Sequence, residues 1–154
     1  MTGIFQKLNF TSQPAIYVEN APASFQPAMN EIRHVTVVCE SLAGTKNVSF
    51  AMTFATKRVE VERFAARVAK ATSGGDAVVW VAYPKGTSKN YRCEFNRDTG
   101  WGKLGEHGFE PVRQVAIDAD WTALRFRRVE YIKKMIRGFA MTESARAKIK
   151  QSKR

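Results

Sequence analysis

Val78-Val79-Trp80-Val81-Ala82-Tyr83 is apolar at every position, with no polar alternation to mark a wet face. A strand of that kind is covered on both sides, the condition of strands in a mostly parallel sheet packed between helices. Three earlier runs also read as buried strands: Ala15-Ile16-Tyr17-Val18, the β-branched Val35-Thr36-Val37-Val38-Cys39, and Val48-Ser49-Phe50-Ala51-Met52-Thr53-Phe54. Between the last of these and Val78 the period changes. Val59, Phe64 and Val68 recur at helical spacing with Arg63, Arg67 and Lys70 among them. Glu60 and Glu62 lie near the positive end of the helix dipole, and Ser73-Gly74-Gly75 ends the pattern. A helix is therefore expected over 57–72 with Thr56 as its N-cap, and a shorter one over 23–31 opened by Pro22.

The stretch 92–107 is polar and glycine-rich, leaving room for one short helix near 97–106. Pro111 to Ile117 reads as a fifth strand. The run Thr122 to Val129 alternates as a strand with one wet face, and the short turn Asp118-Ala119-Asp120 makes the two an antiparallel hairpin. The pattern is α/β, with a mostly parallel sheet of about six strands and a C-terminal antiparallel hairpin. One joint is open. The connection from Glu40 to Asn47 is too short for a helical crossover, so strands two and three are either antiparallel neighbours or joined by an extended loop that carries the chain elsewhere in the sheet.

With 154 residues, 44% of them apolar and 25% charged, the chain suits one domain with its own core. Collagen, a disulfide scaffold and a wholly disordered chain are excluded. No apolar run approaches the ~20 residues that span a bilayer, and no basic start with an apolar h-region marks a signal peptide. Cys39 and Cys93 lie far apart without CxxC spacing, so the expected setting is the reduced cytoplasm, with Cys39 a small buried hydrophobe. His34 and His107 offer no paired ligand spacing, and no metal is expected.

Three short motifs carry a resemblance: Asn20-Ala21-Pro22 after the first strand, Trp80-Val81-Ala82-Tyr83-Pro84-Lys85, and Ala116-Ile117-Asp118-Ala119-Asp120-Trp121. Together they resemble an uncharacterised bacterial family of domains of unknown function, over roughly residues 8 to 130. The order of elements also looks like a trimmed Rossmann-like methyltransferase domain, in which a reversed last strand inserts beside its hairpin partner. The resemblance implies a single Rossmann-like, degenerate methyltransferase-like domain over 1–130 and brings no activity with it. The first strand is followed by Glu19-Asn20-Ala21-Pro22-Ala23. It lacks the glycines of G-x-G-x-x-G that let backbone approach a nucleoside closely, which argues against a competent methyltransferase. The cofactor is left unknown.

In open α/β sheets, ligands bind beyond the carboxyl ends of the strands. The candidate loop is therefore 83–92, where Tyr83, Lys85, Thr87, Ser88, Lys89 and Arg92 combine three cations, two hydroxyls and an aromatic ring. Such a loop suits a phosphate or carboxylate through charge-assisted bonds, or a base stacked on tyrosine. Its Lys-Gly-Thr order lacks the upstream glycine of a phosphate-binding Walker loop, and the competing reading is a solvated surface turn. Asn20 and Asp118 complete a crevice at the carboxyl ends of strands one and five. Asp118 and Asp120 also suit a tight hairpin turn, and Asn96 to Trp101 a turn with its tryptophan packed inward. The turn readings lead in both places, and Trp121 is expected to close the core.

The formal charge of +11 is concentrated at one end. Residues 1–124 hold 14 Lys and Arg against 12 acids, whereas 125–154 hold 11 against Glu130 and Glu143 alone. Tyr131, Ile132, Met135 and Ile136 have helix-like spacing, so 131–154 reads as a basic C-terminal extension, partly helical or disordered. This points to a binding domain for an anionic partner, with nucleic acid or another polyanion the leading class. The alternatives are an enzyme for a small molecule or nucleotide cofactor in the crevice, and an interaction module that pairs through the hairpin edge.

Overall fold

A computed structural model describes residues 3–96 and 99–132. Four strands run parallel: β1 (Ala15–Glu19), β2 (Val37–Cys39), β3 (Phe50–Phe54) and β4 (Val78–Pro84). β5 (Phe109–Ala116) and β6 (Trp121–Arg128) form the antiparallel hairpin. The sheet order is β2-β1-β3-β4-β6-β5, so β6 inserts between β4 and its own hairpin partner. β3 and β4 are buried at every residue, which explains why their sequences show no alternation.

The helices are α1 (Gly3–Lys7), α2 (Gln26–Ile32), α3 (Arg58–Ala71) and α4 (Gly102–Glu106). One face of the sheet packs Ile16, Phe50, Met52 and Trp80 against Phe5 of α1 and Phe25, Met29 and Ile32 at and within α2. The other packs Ala51, Val79 and Val81 against Phe64, Ala65 and Val68 of α3. The connection from β2 to β3 contributes Leu42 and Val48 to that second face.

The open joint resolves as an extended loop. β2 and β3 flank β1 on opposite sides and both run parallel to it. The segment 40–49 carries the chain back across the sheet without a helix. It turns at Gly44 (φ 69°) and Asn47 (φ 57°), and Val48 N–H donates to the last carbonyl of α3 at Ala71 (2.9 Å). Crossovers of one hand that travel in opposite directions must lie on opposite faces. Accordingly α2, leading outward from β1, lies on one face, and the return through 40–49 lies on the other.

Several local expectations shift. The N-cap of α3 is Lys57 rather than Thr56 (φ −121°, ψ 144°); Thr56 instead donates its N–H and hydroxyl to Glu60 Oε1, at 3.0 and 3.3 Å. β2 is shorter than 35–39, because Val35 and Thr36 still hydrogen-bond back to Ile32 at the end of α2. Cys39 lies on that edge strand and is only half-buried. The segment after β1 divides into a 3-10 turn (Ala23–Phe25) and α2, and the helix expected near 97–106 starts only at Gly102. The helix-like spacing and basic extension from residue 133 onward lie outside the described residues.

Candidate functional site

β4 ends at Pro84 beside the start of β6, and the chain beyond it folds over the carboxyl end of the sheet. Lys85 N–H donates to Asp120 C=O (2.7 Å), and Ser88 N–H donates to Lys85 C=O (3.0 Å), forming a tight turn. The Ser88 hydroxyl is its hub. It donates to Asp120 Oδ1 at 2.8 Å and accepts from the N–H groups of Asn90 (3.3 Å) and Tyr91 (3.1 Å). Asn90 Nδ2 adds a bond to Asp120 Oδ2 at 3.1 Å. The Tyr91 ring rests on Trp121 at 4.8 Å while the residue stays partly exposed.

The folded loop encloses a cleft of about 930 Å³. Tyr83, Lys85, Thr87, Ser88 and Arg92, all singled out by their sequence positions, line it together. Asn20, Lys89 and Asp118 are not among its lining residues. Asn20 is exposed just beyond β1 and has a left-handed backbone (φ 59°). Lys89 is exposed on the loop. Asp118 Oδ1 accepts from the N–H groups of Asp120 (2.8 Å) and Trp121 (2.9 Å), the work of a hairpin-turn acid.

Gln114 and Thr122 form a polar wall that sequence reasoning passed over. Gln114 Nε2 donates to Tyr83 Oη and to Thr122 Oγ1, both at 3.2 Å. The signal was present, since Gln114 interrupts the apolar run Pro111 to Ile117, but only the strand pairing brings it beside Tyr83. Below, Tyr83, Phe95 and Trp101 pack in tilted and edge-to-face contacts at 5.1–5.8 Å and form a rigid aromatic base. Trp101 is buried, as its turn reading required, and Asn96 and Thr99 close that turn.

The electrostatic balance of the cleft is cationic. Among the described residues, Lys85, Lys89 and Arg92 make no ion pair. The acids nearby are engaged: Glu94 Oε2 accepts from Arg58 N–H at the start of α3 (3.0 Å), and Asp120 is held by Ser88 and Asn90. Cys93 also lines the cleft, but burial pushes its thiol upward, with the charges of Glu94 and Glu60 adding to the shift against a backbone bond from Phe95. It therefore stays protonated near neutral pH and is a poor nucleophile. Ser88 is bonded to an acid with no histidine between them, so no nucleophile–base pair is assembled. Among the described residues, no three His, Cys, Asp or Glu side chains gather closely enough to hold a metal ion. None of the described helices is long and apolar enough to cross a membrane.

The strand order reverses between β1 and β3, the place where doubly wound sheets usually bind ligands. Here Glu19 closes β1 with a buried carboxylate, which accepts from Arg67 Nη2 (2.6 Å) and Leu42 N–H (2.9 Å). Phe25 packs on Phe54 at 4.9 Å beside it. The cleft is displaced from this point to the end of β4.

The architecture is that of a methyltransferase-like α/β fold. A SAM-dependent methyltransferase from Aquifex aeolicus superposes with a TM-score of 0.54 at 12% identity, covering 82% of this chain and 88% of that one. The pyocyanin biosynthetic protein PhzM superposes with a TM-score of 0.50 at 13% identity, covering 82% of this chain and 53% of that one. At such identities the likeness shows the fold alone. No family model matches the chain, and no curated protein matches it in sequence.

Proposed function

We propose that this chain is a binding domain for an anionic partner, with a nucleic acid the partner the cleft suits best. The observation that carries the reading is that Lys85 and Arg92 line a cleft whose neighbouring acids are already engaged, with Lys89 exposed on the same loop, and that among the described residues none of the three has an ion-pair partner. An unpaired cation beside a pocket is stabilised when an anion arrives and loses no existing ion pair. Tyr91 offers a partly exposed ring at the rim, where a base can stack. The basic segment 131–154 extends the same sign of charge and is assigned here to the partner's phosphates. The three sequence motifs place the chain beside the bacterial family they resemble and add no activity of their own.

The fold raises the question of S-adenosylmethionine, and the residues at the end of β1 do not fit it. Asn20 puts a side chain at the left-handed position where glycine would leave room. Pro22, which starts the following turn, has no N–H to donate. Glu19 is committed to Arg67 and Leu42, and Phe25 closes on Phe54. A second reading, a small-molecule enzyme in the displaced cleft, is favoured by one observation. The volume of about 930 Å³ falls within the range of small-ligand sites, and Tyr83, Gln114 and Thr122 supply a polar wall.

Fluorescence anisotropy with a labelled single-stranded oligonucleotide at two salt concentrations tests the first reading. Lys85→Ala and Arg92→Ala should each lower affinity by about tenfold and reduce the salt slope by roughly one. Unchanged affinity in both variants, or binding indifferent to salt, would sink it. A thermal shift from one S-adenosyl compound or nucleotide that survives high salt would give the lead to the enzyme.

A further inference from the structure

We propose that Arg113 and Arg125, on the face of the hairpin opposite the cleft, hold the phosphate group of a ligand between them. The β5–β6 register sets the two arginines directly across from each other. Like charges so placed on antiparallel strands repel. Here the acceptor they share is neutral: Asn9 Oδ1 receives Arg113 Nη1 at 3.3 Å and Arg125 Nη1 at 3.4 Å. The nearby acid, Asp76, is taken by Arg127, whose Nε and Nη2 contact its carboxylate at 3.0, 3.1 and 2.5 Å. Among the described residues, two guanidinium groups therefore converge on one amide oxygen with no ion-pair partner of their own.

The remaining geometry belongs to a built site. Asn9 follows α1 in a left-handed conformation (φ 66°), held by Asn9 N–H to Gln6 C=O (3.1 Å) and Phe10 N–H to Phe5 C=O (3.0 Å). The adjacent Leu8 carbonyl accepts from Nε1 of the fully buried Trp80 at 2.7 Å, which anchors this corner to β4. Arg125 is half-buried, and its Nε is buried without a hydrogen-bond partner among the described residues. Burial pulls the Arg125 pKa down, and the positive charges of Arg127 and Arg113 pull it further against the opposing pull of Asp76. Arg113 is exposed, so the pair opens to solvent. Two planar forks with donors to spare match a tetrahedral oxyanion, which supplies enough acceptors for both. Between them in sequence, Gln114 points through the other face to Tyr83 and Thr122, so the sheet separates this site from the cleft.

The test titrates the full chain with inorganic phosphate at ionic strength held constant with chloride, followed by phosphorus NMR line broadening. Arg113→Gln and Arg125→Gln run beside Arg63→Gln, which removes an exposed cation of α3 away from the pair. The wild type should bind saturably, either site variant should lose at least about tenfold in affinity, and Arg63→Gln should lose none. Arg113 is exposed, so Arg113→Gln stays informative if Arg125→Gln fails to fold. Absence of saturable binding up to about 10 mM phosphate, or wild-type affinity in Arg113→Gln, overturns the proposal. A parallel titration with a short single-stranded oligonucleotide identifies the source of the phosphate. Affinity lost there in Arg113→Gln assigns the site to a polynucleotide backbone; oligonucleotide affinity kept while phosphate binding is lost assigns it to a free phosphate or phosphomonoester. Either result supports the site, and neither depends on Lys85 or Arg92.

Discussion

Gly100 has φ 91°, and a Cβ built there would lie 2.7 Å from Phe95 Cβ. Neither the backbone nor the neighbour can yield cheaply, since Phe95 is wedged between Tyr83 and Trp101. Gly100→Ala should therefore cost about 1–3 kcal/mol of stability, read as a lower urea midpoint. An unchanged midpoint would mean that the aromatic base under the cleft is softer than its packing indicates. Other single residues were legible from sequence chemistry alone. Asp118 was readable as a turn acid because a short carboxylate in a tight turn just before a strand can satisfy backbone N–H groups, and it does so for Asp120 and Trp121. Trp101 and Trp121 were readable as core because their area is too large to leave in water. Cys39 was not, because its exposure depends on β2 being an edge strand, a property of the sheet order.

At the scale of elements, α3 illustrates both a success and a miss. Its stripe includes Phe64 and Val68 as the spacing required, joined by Val61 and Ala65 against the sheet, whereas Val59, read into the same stripe, lies one turn position off it and is exposed. Its start does not lie where the threonine suggested. Glu60 accepts from the N–H groups of both Thr56 and Lys57 at 3.0 Å, so one acid in the first turn satisfies two donors at the helix entry while Glu94 takes that of Arg58. Glu60→Ala should lower stability by about 1 kcal/mol, measured by chemical denaturation, while Thr56→Val, which removes only a weak hydroxyl contact, should cost less. The reverse ranking would restore Thr56 as the cap. The five residues of α1 carry too little periodicity to be seen in sequence, yet Phe5 and Leu8 are wholly buried. That helix exists because the sheet offers it a face, not because of its own propensity.

For the whole molecule, net charge decides the response to salt. The chain carries +11, whereas the ion pairs of the described residues are Arg67–Glu19, Lys103–Glu106 and Arg127–Asp76. Screening should relieve more repulsion than attraction, so raising chloride from about 20 to 300 mM should raise Tm by a few degrees in a calorimetric scan. A fall in Tm would show that the ion pairs outweigh the self-repulsion. The sequence by itself determined the layers: continuous apolar runs require strands buried on both faces, the three-to-four spacing requires a helix over them, and a turn of three residues requires the hairpin. Those are local demands of water and of backbone hydrogen bonding, written residue by residue. Tertiary structure alone decided which side of β1 receives β3, that Phe25 and Glu19 close the strand-order reversal, and that Gln114 faces one surface while Arg113 and Arg125 meet on the other. Each of those facts is a pairing between residues far apart in the chain, fixed by register and by the single hand of the crossovers, which no local window of sequence contains.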